Sequence, residues 1–266
     1  MIDYNNTPIP DLDGFTPWQM HQIIYNPFND DCPIKLNQLN RDQPMRESLI
    51  LKIIIYFLAK MSERNIKLTQ KGNLPFQIIK DIYTKNYFPD DWIESGIQKI
   101  RTETDWLILH NIKIVLVMAG LIRKKHNQLS QTRKCASLMM VENYSEIFYE
   151  FLKAFTSKFN WAYNDAFTDG GVGQIGFLYS LYFVNKYGSE ERNFKYFSDL
   201  YFRAFPSFLE NSEGKQFIES AFRIRFFTRF AIWFGFIEEN IAKEKQYIER
   251  KINLRRTNLL KRLIHS

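Results

Sequence analysis

One pattern of residues recurs along this chain of 266 residues and restricts what the chain can fold into. At three places an apolar helix is followed by a short β-prone segment and by a threonine or serine that can cap another helix: IKLTQKGNLP, NQLSQTRKCA and INLRRTNLLK. Before the second and third, MAGLIRK and WFGFIEE end a helix at a glycine and enter a strand. The pattern predicts small units in which a β-hairpin covers one end of a helical core.

The order helix, glycine, strand, turn, strand and capped helix is that of a winged helix and its wing. For the first half of the chain we predict helices over 46–61, 75–85, 90–101 and 104–120, a strand at 66–69, and a wing at 121–130 with Ser130 capping the next helix. The helix over 104–120 is an addition to the minimal order. A second hairpin is predicted within 236–256, before a basic helix that Thr257 caps.

The predicted fold class is mainly α, with α+β winged-helix-like modules, small β-hairpins and a helical domain. Eleven glycines and nine prolines are few for an all-β fold, and an aromatic content of 16% predicts a Phe-rich core. The predicted domains are an arm and short helix over 1–45, a winged-helix-like domain over 46–141, and a helical domain over 142–266 that ends in a winged-helix-like hairpin and basic helix. In the arm, Thr16, Pro17 and Gln19 predict a capped helix start.

Cysteine usage and apolar patterning predict a cytoplasmic protein. Cys32 and Cys135 do not make a disulfide framework, which fits a reducing compartment. The acidic, polar start does not have the pattern of a secretory signal. The longest apolar stretches are too short or too interrupted by polar residues to cross a bilayer, so we expect no membrane partner.

The net charge of +7 is unevenly placed along the sequence. Residues 221–266 carry eleven Lys and Arg against four Glu, whereas residues 1–48 are acidic. A basic region indicates either a polyanionic partner or a solvated surface. The candidate nucleic-acid-binding residues lie on the predicted wing, at the following helix start and near the second hairpin: Arg123, Lys124, Lys125, Arg133, Lys134, Arg250, Lys251, Arg255 and Arg256.

The segment PDDWIESGIQKIR occupies the place of a recognition helix, but it begins with Asp90, Asp91 and Glu94. Three carboxylates near its start make it a poor surface for a major groove. The sequence therefore argues against base-specific reading through this segment and favours contacts to phosphates by the wings.

No catalytic or metal-binding pattern is present, so we expect no enzymatic activity and no cofactor. GVGQIG at 171–176 matches a dinucleotide fingerprint but lacks the strand that should precede it. The histidines lack metal-ligand spacing, and His110 in an apolar helix is expected to be a satisfied core residue. A weaker alternative is a small-ligand pocket around residues 160–176, formed by Trp161, Asp165 and Asp169.

The motif LTQKGNLP, together with FNWAYNDAF and LYFRAFPSFLE, resembles a group of uncharacterised bacterial proteins that carry an L-T-x-K-G-x-L-P element. The resemblance extends over most of the chain from Phe15, and it implies no assigned activity. The Leu-Thr-x-x-Gly element is also similar to one in winged-helix transcription regulators, where it follows the wing. That similarity implies a DNA-binding module, although Lys71, Gly72 and Pro75 match the first group more closely.

The sequence thus favours a non-enzymatic, cytoplasmic, bacterial protein that binds nucleic acid through basic wings. The alternative is a protein–protein interaction or scaffold module, because winged helices also serve as adaptor surfaces. The third hypothesis is that the protein binds a small ligand around residues 160–176.

Overall fold

The computed structural model describes residues 4–210, 214–241 and 252–265. Its α-helices are α1 Pro17–Tyr25, α2 Gln43–Glu47, α3 Leu49–Glu63, α4 Phe76–Tyr83, α5 Asp91–Glu94, α6 Leu107–Met118, α7 Arg133–Met140, α8 Tyr144–Ser157, α9 Phe177–Tyr187, α10 Phe194–Ala204, α11 Ser207–Glu210, α12 Lys215–Phe222 and α13 Asn258–Leu263. Its strands are β1 Lys35–Leu36, β2 Ile66–Lys67, β3 Ile122–Lys125, β4 Gln128–Gln131, β5 Arg192–Asn193, β6 Ile237–Ile241, β7 Ile252–Arg256 and β8 Ile264–His265. The predicted class, mainly α with small β-hairpins, is confirmed.

The chain divides into two compact units. The first unit is Leu39–Phe159, and the second unit combines Met1–Gln38 with Asn160–Ser266. These bounds differ from the predicted domains, which end at 45 and 141. Helix α8 packs on α2, α6 and α7 and so belongs to the first unit, whereas α1 packs on α9 and brings the N-terminal arm into the second. Sequence patterning does not show such contacts between distant segments.

The first unit has the order α3, β2, α4, α5, α6, β3, β4, α7, α8. Strands β2, β4 and β3 form one antiparallel sheet in that spatial order, with Ile66 opposite Leu129 and Arg123 opposite Ser130. Ser48 caps the start of α3, whose apolar residues are buried around most of the helix. Helix α6 is similarly buried, so these two helices supply much of the core beneath the sheet.

The second unit repeats this order with α9, β5, α10, α11, α12, β6, β7 and α13. Its sheet has the spatial order β5, β7, β6, which corresponds to that of the first unit. Helix α12 continues directly into a π-helical stretch, Arg223–Ile232. Aromatic rings fill the core, and Tyr201 and Phe222 stack with centroids 4.1 Å apart.

A glycine and a threonine join the first hairpin, β3–β4, to its flanking helices. Gly120 has a φ of +68° and ends the helical turn after α6, a conformation that favours glycine. The Thr132 hydroxyl donates to the Gly120 carbonyl at 2.8 Å and accepts from the Cys135 amide at 3.2 Å. Thr132 therefore caps α7, and the prediction of Ser130 as the cap is wrong because Ser130 lies within β4.

The second hairpin, β6–β7, is joined in the same way. Gly235 has a φ of +79°, and the Thr257 hydroxyl donates to its carbonyl at 2.7 Å. The same hydroxyl accepts from the Leu260 amide at 3.3 Å, so Thr257 caps α13 as predicted. The second and third copies of the sequence pattern thus have one physical cause: each threonine hydroxyl bridges the end of one helix and the start of another. The prediction of a hydroxyl cap at the first copy is wrong, because Thr69 Oγ1 accepts from the Asn73 amide at 3.1 Å and no side chain caps α4.

The predicted helix over 90–101 is wrong. Only the single turn Asp91–Glu94 forms, and Gly96, with a φ of +75°, redirects the chain. Asp105 then accepts from the amides of Arg101 and Thr102 at 2.9 and 2.7 Å, which fixes a loop in place of further helix. Helix α6 is consequently the helix that directly precedes the first hairpin.

Within the part of the chain that the structure describes, no helix combines the length and the hydrophobicity needed to cross a membrane.

Candidate nucleic-acid interface

The first hairpin presents three consecutive basic side chains. Arg123, Lys124 and Lys125 on β3 are all exposed. Because side chains alternate along a strand, Arg123 and Lys125 share one face of the hairpin while Lys124 lies on the other with Leu129. The Arg123 Nε donates to Ser130 Oγ across the strands at 3.2 Å, which holds its guanidinium near the sheet.

The tip of the first hairpin is attached to the segment that links β2 to α4. His126 and Asn127 form a two-residue turn with φ values of +48° and +57°, as a tight hairpin requires. The Asn127 side-chain amide donates to the carbonyls of Leu68 and Thr69 at 3.1 and 3.0 Å. The LTQKGNLP segment is therefore a structural connection that receives the hairpin tip.

The surface around this sheet has no acidic residue in its own segments. Residues 64–72 and 120–134, together named the basic sheet here, contain no Asp or Glu. Their basic residues are Arg64, Lys67, Lys71, Arg123, Lys124, Lys125, Arg133 and Lys134. All eight are exposed, and Lys134 pairs with Glu150 at 2.7 Å. Strand register places Lys67, Arg123 and Lys125 on one face of the sheet and Lys124 on the other, and exposed positive charge of this kind attracts polyanions.

The whole net charge belongs to the unit that contains the basic sheet. The first unit has 19 Lys and Arg against 12 Asp and Glu, a net charge of +7, and the second has 17 of each. The basic C-terminal stretch that the sequence emphasised is balanced by acids elsewhere in the second unit.

The second hairpin differs from the first in charge. Strand β6 carries Glu238 and Glu239, both exposed, and Glu238 lies opposite Arg255 on β7. Arg255 is exposed, but the Arg256 guanidinium is half-buried and donates to Asn185 Oδ1 at 2.9 Å. The structure therefore does not place Arg255 and Arg256 on a uniformly basic surface. Two further candidates, Arg250 and Lys251, lie outside the described residues.

A buried ionic cluster supports the basic sheet from inside the first unit. Glu103 is fully buried and accepts from the Leu74 amide at 2.7 Å, from His110 Nδ1 at 3.1 Å and from the Lys113 ammonium group. Burial opposes ionisation of Glu103, but these hydrogen bonds outweigh it and lower its pKa. Lys113 also donates to the Gly72 carbonyl at 3.3 Å, so the cluster fixes the segment after β2. His110 is a satisfied core residue, as predicted.

The sequence did not identify Glu103 as part of this cluster. Its only local signal is the phrase TETD, in which Glu103 looks like one of several exposed acids near a helix start. Its partners His110, Lys113 and Leu74 lie 7, 10 and 29 residues away in the sequence. No local pattern therefore connects Glu103 to them.

The candidate ligand residues around 160–176 are used to hold that segment in place. The fully buried Arg225 forms a two-bond pair with Asp165, at 2.8 Å from Nε and 2.9 Å from Nη2. It also donates to the main-chain carbonyl of Asp169, whose side chain accepts from the Gly171 amide at 3.0 Å. Trp161 is buried with its ring centroid 4.7 Å from that of Phe230. Each of the three candidates thus has a structural partner.

Neither a thiol nucleophile nor a metal site is built by the described residues. Burial raises the pKa of the Cys135 thiol to about 11, which disfavours the reactive thiolate. Cys32 is also free and buried. Within residues 4–210, 214–241 and 252–265, no group of three His, Cys, Asp or Glu side chains could hold a metal ion.

No family model matches this chain, and no curated protein or solved structure is significantly similar to it.

Proposed function

We propose that this protein is a non-enzymatic, winged-helix-like, nucleic-acid-binding protein that holds phosphate groups on its basic sheet. The acid-free, exposed set of eight Lys and Arg in residues 64–72 and 120–134 is the observation that carries the proposal. The order α3, β2, α4, α6, β3, β4 and the sheet order β2, β4, β3 support the relation to winged helices. The free, buried cysteines favour a reducing, cytoplasmic location.

Contacts to phosphate, rather than to base edges in a major groove, are the mode that the fold favours. A recognition helix must expose polar side chains to read bases. Helix α6, which precedes the first hairpin, is mostly buried, and the exposed side chains at its end are Val117 and Met118. Its Lys113 is engaged by Glu103. Binding is therefore expected to depend weakly on sequence and strongly on salt.

The test is the salt dependence of binding to a mixed-sequence nucleic acid. Reversal of Arg123, Lys124 and Lys125 to Glu should weaken binding and reduce the slope of log K against log salt by roughly 2–3, because each lost phosphate contact contributes about 0.9. The matched control is Arg255→Glu in the second hairpin, which should change neither quantity measurably. Equal losses in the control, or unchanged binding in the triple variant, would remove the proposal.

A second candidate function is docking of a protein partner. Met140 and Val141, at the end of α7, are 79% and 46% exposed. Met140 also borders an open groove of about 630 Å³ that Met139, Ala59 and Ala136 line together with polar residues of the first hairpin. Substitution of Met140 by Gln should then abolish partner capture while leaving binding to nucleic acid unchanged.

A further inference from the structure

We infer that the cavity beside the first hairpin receives an unpaired base of a single-stranded nucleic acid whose phosphates lie on the basic sheet. The inference rests on the proposed function and specifies the kind of nucleic acid that the site takes. It depends on a cavity whose apolar walls and cationic edge are both defined by the fold of the first unit.

The cavity lies where the first hairpin, α6 and the segment after β2 meet, and its volume is about 240 Å³. Its walls are Leu68, Ile114, Val117, Met118 and Leu129. Pockets for drug-sized ligands have volumes of about 300–1,000 Å³, so this one suits a single ring system rather than a whole nucleotide. A flat, weakly polar group that slides between aliphatic side chains fits it best.

The apolar residues at the edge of this cavity are open to solvent. Val117 is 42% exposed and Met118 is 38% exposed, although both follow directly on the buried part of α6. Apolar surface of this kind is stabilised when a ligand removes it from water. Proteins that hold an extruded base enclose it between aromatic or apolar side chains, which is the chemistry that this cavity offers.

Two lysines border the same cavity, and their charge determines whether an anionic group is favoured beside it. Lys113 is neutralised by Glu103, so Lys124 contributes the positive charge that the cavity edge retains. Lys124 Nζ lies so close to Gly72 that a Cβ there would be 3.2 Å away. The ammonium group thus lies at the cavity edge close to Gly72, and the exposed Lys71 is the neighbour of Gly72 in the chain. A base inserted here would have its own phosphate within reach of a cation.

This arrangement favours a single strand over a duplex. In a duplex the bases are paired and stacked, and extruding one costs a few kcal/mol. A single strand offers its bases without that cost, and a base that covers Val117 and Met118 removes their apolar surface from water. The duplex has the higher density of negative charge, so phosphate attraction alone favours the duplex and a preference for the single strand isolates the contribution of the cavity.

The experiment measures anisotropy of three labelled nucleic acids at low salt: a short single strand of mixed sequence, its duplex, and an abasic strand with the same phosphates. The base-bearing single strand should bind about tenfold more tightly than the abasic strand. Equal affinity for these two strands would overturn the inference while leaving phosphate binding intact. Failure of all three to bind would instead refute the proposed function and the inference with it.

Two matched pairs of variants locate the effect. Lys124→Gln and Lys125→Gln remove the same charge from opposite faces of the first hairpin, and Lys124 alone borders the cavity. Val117→Asn and Val141→Asn place the same polar group at sites of similar exposure inside and outside the cavity. The first member of each pair should reduce the preference for the base-bearing strand about tenfold, and the second should leave that preference unchanged. Equal effects within each pair would contradict the inference.

Discussion

The two hairpins of this molecule share one construction and differ in charge. In each, a glycine with positive φ ends a helix, a three-stranded antiparallel sheet has the same spatial order, and a threonine bridges two helix ends. The first hairpin has IRKK on its edge strand and the second has IEENI. The comparison teaches that glycine and threonine specify the junctions of both hairpins, whereas the exposed residues set the charge that each hairpin presents.

The largest expected effect is a loss of folding stability when the buried ion pair of the second unit is broken. Arg225→Met should destabilise the protein by about 3–5 kcal/mol, because the buried Asp165 carboxylate would keep as its ion pair only the longer 3.5 Å contact with Arg229. Urea unfolding measures the change, and Lys195→Met, at an exposed ion pair, serves as the control with an expected effect below about 1 kcal/mol. The double variant Arg225→Met with Asp165→Leu should recover much of the loss. Similar losses for Arg225→Met and Lys195→Met would contradict a structural role for the buried pair.

The stability that the ionic cluster around Glu103 gives to the first unit should depend on pH. Glu103→Gln should cost about 1–3 kcal/mol at pH 7, because a charged acceptor of three hydrogen bonds is lost. The folded pKa of Glu103 is depressed, so its stabilisation is present above the unfolded value of about 4.3 and is lost as pH falls through the folded pKa. The stability gap between wild type and variant should therefore narrow below about pH 4 in urea titrations. A gap that is constant from pH 7 to pH 3 would show that charge at Glu103 is irrelevant.

Thr132 and Thr257 should contribute equally to folding stability. Thr132→Val and Thr257→Val should each cost about 1 kcal/mol, because both lose a helix cap and a bond to a glycine carbonyl. Ser130→Ala is the control: this hydroxyl lies on a strand and accepts from an exposed arginine, so the change should stay within about 0.5 kcal/mol. Denaturant midpoints measure all three. A large loss at only one threonine would break the structural equivalence of the modules.

The smallest effect comes from changing the charge of the second hairpin. Glu238→Lys with Glu239→Lys gives β6 the sign of β3 without altering the junction residues. If charge alone distinguishes the hairpins, the slope of log K against log salt should steepen by up to about 2, because each new phosphate contact contributes about 0.9. Asp30→Lys with Asp31→Lys, which adds equal charge at two exposed positions before β1, is the matched control for a general charge effect. A slope that changes equally in both variants would show that position on the hairpin does not matter.

Much of the fold could be predicted from local signals in the sequence. The capping box is one case: Thr16 Oγ1 accepts from the Gln19 amide at 3.2 Å and the Gln19 side chain accepts from the Thr16 amide at 2.9 Å. The first hairpin and the Thr257 cap also follow from residues within a few positions of one another. Local signals failed where Gly96 interrupts an otherwise helical pattern, since helical spacing continued beyond it.

The residues that shape the candidate site were harder to predict because their partners are distant in sequence. The pair of Asp165 and Arg225 spans 60 residues, and the bond from Leu74 to Glu103 spans 29. The basic residues of the first hairpin could be identified directly, because consecutive charges on a predicted ribbon need no tertiary information. Glu238 can be identified in the sequence as an acidic residue near Arg255, but only the register of β6 and β7 shows that the two lie opposite each other.

The attachment of Asn127 to the carbonyls of Leu68 and Thr69 has a consequence for affinity. A hairpin held only at its base must lose motion when a ligand docks, and that loss weakens affinity. The first hairpin is held at its base by Thr132 and at its tip by Asn127, so little conformational entropy would be lost in the binding that we propose. Removing the contacts at the tip with Asn127→Gly, which keeps the positive φ accessible, should weaken the proposed binding without changing the charge of the hairpin, and a binding titration measures the difference.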